Sequence, residues 1–242
     1  MKLLSIKLFL GLIAAMGPSA SGYSAQTTSS AEIHKSPATP TATKTLLNPI
    51  RLSDTPDPGV VYHDNKWYVY HTSSGIRWSK LGRYPIVTST NLTSWTVEGY
   101  IFPPDKLPSW CDQSSSWWAP EVHKVGDKYI AYYTARQNGS TVFAVGAAVA
   151  DHPAGPFKDV GQPIKKTDGV GLIDVHWYKD PNTAKQYLIW KEDRNDFNPP
   201  EPTPIIMQEM APDGLTVIGE AREILRNDQE WEGVLVEAPT II

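Results

Sequence analysis

Cysteine is almost absent from this chain: Cys111 is the only one in 242 residues. That excludes an internal disulfide and any zinc site built on several thiolates. There is no excess of basic charge either. Lys and Arg total 22 against 26 Asp and Glu, a net charge of −4, which argues against a nucleic-acid or anionic-membrane partner. No apolar run is long enough to span a bilayer. The segment Leu8 to Met16 falls well short of the ~20 residues needed. His63, His71, His123 and His176 do not form a metal-ligand spacing, so no metal site is expected from them.

What the chain does have is aromatic and turn-forming residues: 9 Trp, 11 Tyr, 17 Gly and 21 Pro, with 40% hydrophobic residues. This is the composition of a folded globular protein. Residues 1–22 read as a secretory signal peptide, with Lys2 and Lys7 before the apolar run and small residues Ser19 to Gly22 at a cleavage zone. Residues 23–46 form a Ser/Thr/Pro-rich linker that cannot bury a core. Export to the extracellular space fits two glycosylation sequons, at Asn91 and Asn138. In such a protein Cys111 is expected to be a buried, inert thiol.

From residue 47 to 242 the sequence repeats. Three segments, Gly59 to Thr72, Glu121 to Thr134 and Asp174 to Trp190, each combine an apolar strand, a polar turn and an aromatic strand, the pattern of a β-hairpin. Trp67, Tyr129 and Tyr187 mark the second strands at steps of 62 and 58 residues. A second landmark, a turn ending on Trp95, Phe157 and Leu215, keeps the same two steps. An even-spaced β-sandwich gives no reason for two landmarks to share a step. A unit of about four short strands without helical periodicity predicts an all-β, propeller-like fold.

In a propeller the first strand of each blade lines the central channel. Asp57, Asp174 and Glu237 open the first, third and fourth units, so residues far apart in sequence are expected to face one cavity. A strand-opening acid alone more simply caps a turn or binds a structural ion. Three in one phase suit glycoside hydrolysis, in which one carboxylate acts as base and one carboxylic acid protonates the leaving oxygen. A third acid beside it can raise the second one's pKa through like-charge repulsion.

These motifs resemble glycoside hydrolase family 43, the five-bladed propeller enzymes of arabinan and xylan. The resemblance covers about residues 48–242. It rests on Thr55-Pro-Asp-Pro-Gly-Val-Val61, Trp118-Ala-Pro-Glu-Val122, Gly171-Leu-Ile-Asp-Val175 with Gln186-Tyr-Leu-Ile-Trp190, and Val236-Glu-Ala-Pro239. It implies Asp57 as general base, Glu237 as general acid and Asp174 as the residue that raises the pKa of Glu237 and orients it. It also implies an inverting reaction on arabinose- or xylose-containing polysaccharides or oligosaccharides, by an enzyme that is monomeric when complete. No cofactor is implied for the chemistry. Family members often hold a structural calcium ion on the propeller axis, through a ligand from a later blade. Two positions depart from the pattern: Glu121 stands where Asp is usual, and Val175 where Pro is usual.

Indole rings stack on sugar faces, which makes Trp118 the expected substrate platform. Trp117, Trp78 and Trp110 are further candidates, while Trp67 and Trp190 are expected to pack between blades. Asp54, Glu230 and Glu232 are expected to be solvated or to cap turns. The competing readings are a non-catalytic carbohydrate-binding propeller and an inactive fragment. Three blades and the first strand of a fourth are accounted for, whereas five blades of this size need roughly 300 residues. The expectation is therefore a C-terminally truncated propeller, poorly soluble and inactive as it stands.

Overall fold

The computed structural model describes residues 54–73 and 80–242. The expected signal peptide and linker, and Trp78, lie outside them. Among the described residues twelve strands form three four-stranded antiparallel meanders. The first contains β1 (Gly59–His63), β2 (Lys66–Tyr70), β3 (Arg83–Ser89) and β4 (Thr96–Phe102). The second contains β5 (Trp117–Val125), β6 (Lys128–Arg136), β7 (Phe143–Ala150) and β8 (Lys158–Asp159). The third contains β9 (Leu172–Lys179), β10 (Gln186–Glu192), β11 (Ile205–Met210) and β12 (Val217–Leu225). Both sequence landmarks fall where they should: Trp67, Tyr129 and Tyr187 lie on the second strands β2, β6 and β10, and Trp95, Phe157 and Leu215 lie in the turns before the fourth strands. Among the described residues no helix is long and apolar enough to cross a membrane.

Local chemistry explains the hairpins. Asp64 and Asn65 close the first at φ of 47° and 59°, the left-handed pair a two-residue hairpin turn requires. Register then follows from burial, because side chains alternate faces along a strand. On β6, Tyr129, Ala131, Tyr133 and Ala135 enter a core shared with the first sheet. Ile130 and Tyr132 enter a core shared with the third. The second sheet is thus covered on both faces, and β6 from Tyr129 to Ala135 is buried throughout.

The core between the first two sheets is a stack of rings. Trp117 and Tyr133 lie nearly parallel with centroids 6.2 Å apart, and Phe102 meets Tyr133 edge-on at 5.0 Å. Gly146 permits this: a Cβ there would sit 2.4 Å from the Tyr133 ring and 2.7 Å from Trp110. Buried tyrosines also staple neighbouring sheets through their hydroxyls. Tyr70 donates to the Pro153 carbonyl at 2.7 Å, and Tyr132, its counterpart one unit later, donates to the Gly214 carbonyl at 2.7 Å. Each acceptor sits in the turn before the fourth strand of the next sheet. A buried Tyr hydroxyl needs such a partner, which makes the repeat a repeat of inter-sheet bonds as well as of strands.

Four expectations are corrected. Residues 236–242 are not a strand. They are held by isolated bonds instead of a ladder: Val236 N–H to Thr203 Oγ1, Ala238 N–H to Asp174 and Ile241 N–H to His176. Trp110 is not a rim platform but is buried, donating to Asp159 at 3.2 Å and stacking on Tyr133. Trp117 is likewise core. Trp67 packs on Tyr62 of its own hairpin at 4.6 Å, half-buried, whereas Trp190 is fully buried as expected. Cys111 is free and buried, and burial pushes its thiol well above the ordinary range.

Candidate active site

Each unit opens on a backbone kink. Asp57, Ala119, Asp174 and Ala238 all have positive φ, of 52°, 40°, 53° and 53°. For residues other than glycine this conformation costs on the order of 1–3 kcal/mol, and it clusters at functional sites. In the second and third sheets the kink coincides with a register shift, between Trp118 and Glu121 on β5 and opposite Ile189 to Lys191 on β10. A bulge bends the strand and re-aims its side chains. Here it lifts Asp174 out of the ladder at the end of the sheets where β2, β6 and β10 finish. Glu237 stands one residue ahead of the kinked phase, so only Asp57 and Asp174 are backbone equivalents. Trp118, just before Ala119, is the counterpart of Glu237.

Each acid has its own partner. Asp57 is exposed and accepts a hydrogen bond from the hydroxyl of Thr72, a buried residue just past β2. Thr72 in turn accepts the Ala119 N–H at 2.7 Å, tying the kink of the second unit to the acid of the first. Glu237, half-exposed, takes Lys191 Nζ at 3.1 Å. Lys191 is itself 1% exposed and bonds Asp193 at 3.0 Å. Asp174 accepts the Ala238 N–H at 3.1 Å, so the residue after Glu237 is fastened to it.

Electrostatics link the three. Burial lifts the Asp174 carboxyl to about 6, and the charges of Glu237 and Asp57 push the same way, against the Ala238 N–H and Lys191. Asp174 therefore lies within the field of both other acids. Trp118 is half-buried and its ring rests on Phe143 with centroids 4.3 Å apart. Of the neighbouring acids, Glu232 caps the Asp228 and Gln229 N–H groups, as expected of it.

A cluster that sequence spacing did not reveal joins the second and third sheets. Glu121 Oε2 accepts from His123 Nε2 at 2.7 Å and from His176 Nδ1 at 2.8 Å. Burial disfavours the Glu121 charge, but the two imidazoles outweigh it and hold the carboxyl below its usual value. The three groups converge closely enough to suggest a metal site. Two nitrogens and one oxygen do not fit calcium, which takes six to eight oxygens. The backbone also opposes metal at His176. Ile241 N–H donates to its Nε2, which puts the ring proton on Nδ1, facing Glu121. The cluster is a hydrogen-bonded clamp between sheets.

Comparison with known proteins places these features in context. The family model described as glycosyl hydrolases family 43 matches residues 46–242. A probable arabinan endo-1,5-alpha-L-arabinosidase C of Aspergillus flavus is 32% identical over 131 residues, which are 51% of this chain and 38% of that protein. An extracellular endo-alpha-(1->5)-L-arabinanase of Thermotoga petrophila is 30% identical over 112 residues, 45% of this chain and 24% of the relative. The chain thus spans well under half the length of these curated relatives. Among solved structures, a thermostable family-43 glycoside hydrolase superposes with a TM-score of 0.68 at 28% identity, covering 78% of this chain and 59% of that one. An endo-arabinase of Bacteroides thetaiotaomicron, at 20% identity and a TM-score of 0.61, shares the fold, with coverages of 76% and 60%.

Proposed function

The chain belongs to glycosyl hydrolases family 43, and on that premise we propose that it is a secreted glycosidase of arabinose- or xylose-containing plant polysaccharides, built on a five-bladed propeller. Asp57 is the general base that activates water. Glu237 is the general acid that protonates the glycosidic oxygen. Asp174 orients Glu237 through the Ala238 N–H, and when ionised it is the like charge beside which a carboxylic acid keeps its proton. Trp118, resting on Phe143, offers an aromatic face for a sugar ring. The reaction inverts the anomeric centre, with base and acid separated by about 6.5–9.5 Å to admit the water.

The observation that carries this reading is the placement of Asp174. It shares a kinked phase with Asp57, bonds the residue next to Glu237 and feels the charge of both. Turn capping explains one such acid but not their grouping at one end of three sheets. The relatives' names, arabinanases from a fungus and from a bacterium, support the polysaccharide class, and the word extracellular in one of them supports secretion.

The test is hydrolysis of aryl arabinofuranosides and aryl xylosides, with the product anomer followed by NMR. In the complete protein, Asp57→Asn and Glu237→Gln should each lower kcat by about 10²–10⁴, the usual share of acid–base catalysis, while sugar binding persists. Activity retained in both variants refutes the assignment. Sugar binding without hydrolysis by the complete protein leaves a carbohydrate-binding propeller as the better description.

A further inference from the structure

Glu237 sits in a segment, residues 236–242, whose backbone is held by side chains at three N–H groups. Val236 donates to Thr203 Oγ1 at 2.9 Å, Ala238 to Asp174 at 3.1 Å and Ile241 to His176 Nε2 at 3.2 Å. We propose that His176 is a positioning residue for the acid. It anchors the far end of the segment that carries Glu237, and Glu121 fixes the tautomer that lets it do so. The proposal rests on the glycosidase reading above, which makes Glu237 the proton donor.

Geometry calls for the third anchor. The bonds at Val236 and Ala238 flank Glu237 immediately, so a segment held by them alone can pivot about its own acid. The bond at Ile241 lies three residues further on and sets the direction in which the chain leaves. Ala238 has φ of 53°, a conformation that persists in a residue other than glycine only where its surroundings over-determine it. Asp174 on one side and His176 on the other, alternate residues of β9, supply that constraint. Lys191 holds the tip of the half-exposed Glu237 side chain but touches none of these backbone groups.

Chemistry makes the anchor depend on Glu121. Imidazole accepts a hydrogen bond only through the nitrogen that carries no proton. Glu121 Oε2 lies 2.8 Å from His176 Nδ1, and an ionised carboxylate there requires Nδ1 to donate, which leaves Nε2 bare for Ile241. His123 donates to the same Glu121 oxygen at 2.7 Å, and its ring meets that of His176 edge-on at 5.5 Å. His176 is buried, so losing either partner leaves a polar nitrogen unpaired. A relay thus runs from Glu121 on the second sheet, through His176 on the third, to the segment of the acid.

The experiment separates the two bonds of His176. Glutamine at this position can present an amide oxygen where Nε2 stands, to Ile241, whereas asparagine reaches only as far as Nδ1, to Glu121. In the complete protein, kcat is measured on an alkyl glycoside, whose leaving group needs a proton, and on a dinitrophenyl glycoside, whose leaving group departs without one. His176→Asn should lower kcat on the alkyl glycoside by about tenfold or more, the scale of a small misplacement of a catalytic group. Its kcat on the dinitrophenyl glycoside and both KM values should stay nearly unchanged, and His176→Gln should retain most of the rate on both. Amide exchange at Ile241 should be fast in His176→Asn and slow in the parent and in His176→Gln. Equal loss on the two substrates in folded His176→Asn, or equal loss in the two variants, overturns the proposal. If neither variant folds, nitrogen NMR of the unmodified protein decides: a proton on His176 Nδ1 with slow exchange at Ile241 supports the anchor, and a proton on Nε2 overturns it. A parent that cleaves neither glycoside while Ile241 exchanges as described keeps the anchor and loses the glycosidase reading.

Discussion

The Thr72 hydroxyl donates its proton to the Asp57 carboxylate, which can only accept, while its oxygen accepts the Ala119 N–H. One side chain thus fixes the position of the proposed base and couples it to the kink that opens the next unit. Thr72→Val removes the hydroxyl at nearly constant volume, so the exposed Asp57 loses its fixed donor and the Ala119 N–H its acceptor. We expect kcat on an aryl glycoside to fall by about tenfold or more, the scale of small misplacements of a catalytic group. KM should change little, and Thr72→Ser should recover most of the rate. A purely structural role would instead show as equal loss in the Ser variant, or as a fall in stability without a change in kcat.

Asp174 should make the protein less stable as pH rises. Its folded value of about 6 lies above the ordinary 3.8, so the folded state holds a proton that the unfolded state releases between those values. Below 3.8 both states are protonated and the residue contributes nothing. Above about 6 both are ionised and the full cost of burying the charge is present, at most about 3 kcal/mol for a shift of this size. Asp174→Asn should therefore be more stable than the parent at pH 7, equal to it near pH 3, and much less active. Denaturant unfolding at pH 3, 5 and 7 checks this. A variant less stable than the parent at pH 7 would show that the carboxylate is net stabilising.

The strands were legible because their signals are local. Turns such as Asp64-Asn65 and the alternation from Tyr129 to Ala135 depend on neighbours in sequence and come out where they were read. The shared backbone phase of Asp57 and Asp174 was legible too, since equal phase in a repeat means equal backbone geometry. Glu237 departs by one residue because its segment is held by side-chain contacts to Thr203 and by a bond to Asp174, without a ladder to set its register. The Glu121 clamp was invisible for a different reason. His176 comes 55 residues later, on another sheet, and nothing in either local motif announces the meeting. Trp110 misled because a tryptophan in a loop sequence looks like a rim residue, while its loop folds inward beneath Gly146.

Glu121 occupies a position where a shorter Asp would be the more familiar residue, and its length is what reaches both imidazoles. Glu121→Asp should release at least one of the bonds to His123 and His176, for a loss of about 1–2 kcal/mol at neutral pH. The pH dependence has the opposite sign to that of Asp174. A carboxyl held below its unfolded value of 4.5 stabilises above that pH and loses its contribution as pH falls through the folded value. The difference between parent and Glu121→Asp should therefore shrink on acidification. A constant difference from pH 7 to pH 3 would mean that packing, and not the ionised clamp, accounts for the loss.

Lys191 poses the sharpest test of how the acid end is assembled. Its ammonium is almost wholly buried between Asp193, itself buried, and the half-exposed Glu237. Lys191→Met keeps the length of the chain but strands the Asp193 carboxylate in a protein interior. Breaking one side of a buried pair costs about 3–5 kcal/mol, far more than the pair is worth against apolar replacement. Lys191→Met with Asp193→Leu should accordingly recover most of that stability. It should not recover activity, because Glu237 has then lost the cation that holds it. Melting curves of the single and double variants, with rates on an aryl glycoside, separate the two roles. Full activity in the double variant would show that Lys191 serves only to neutralise Asp193 and does not position the acid.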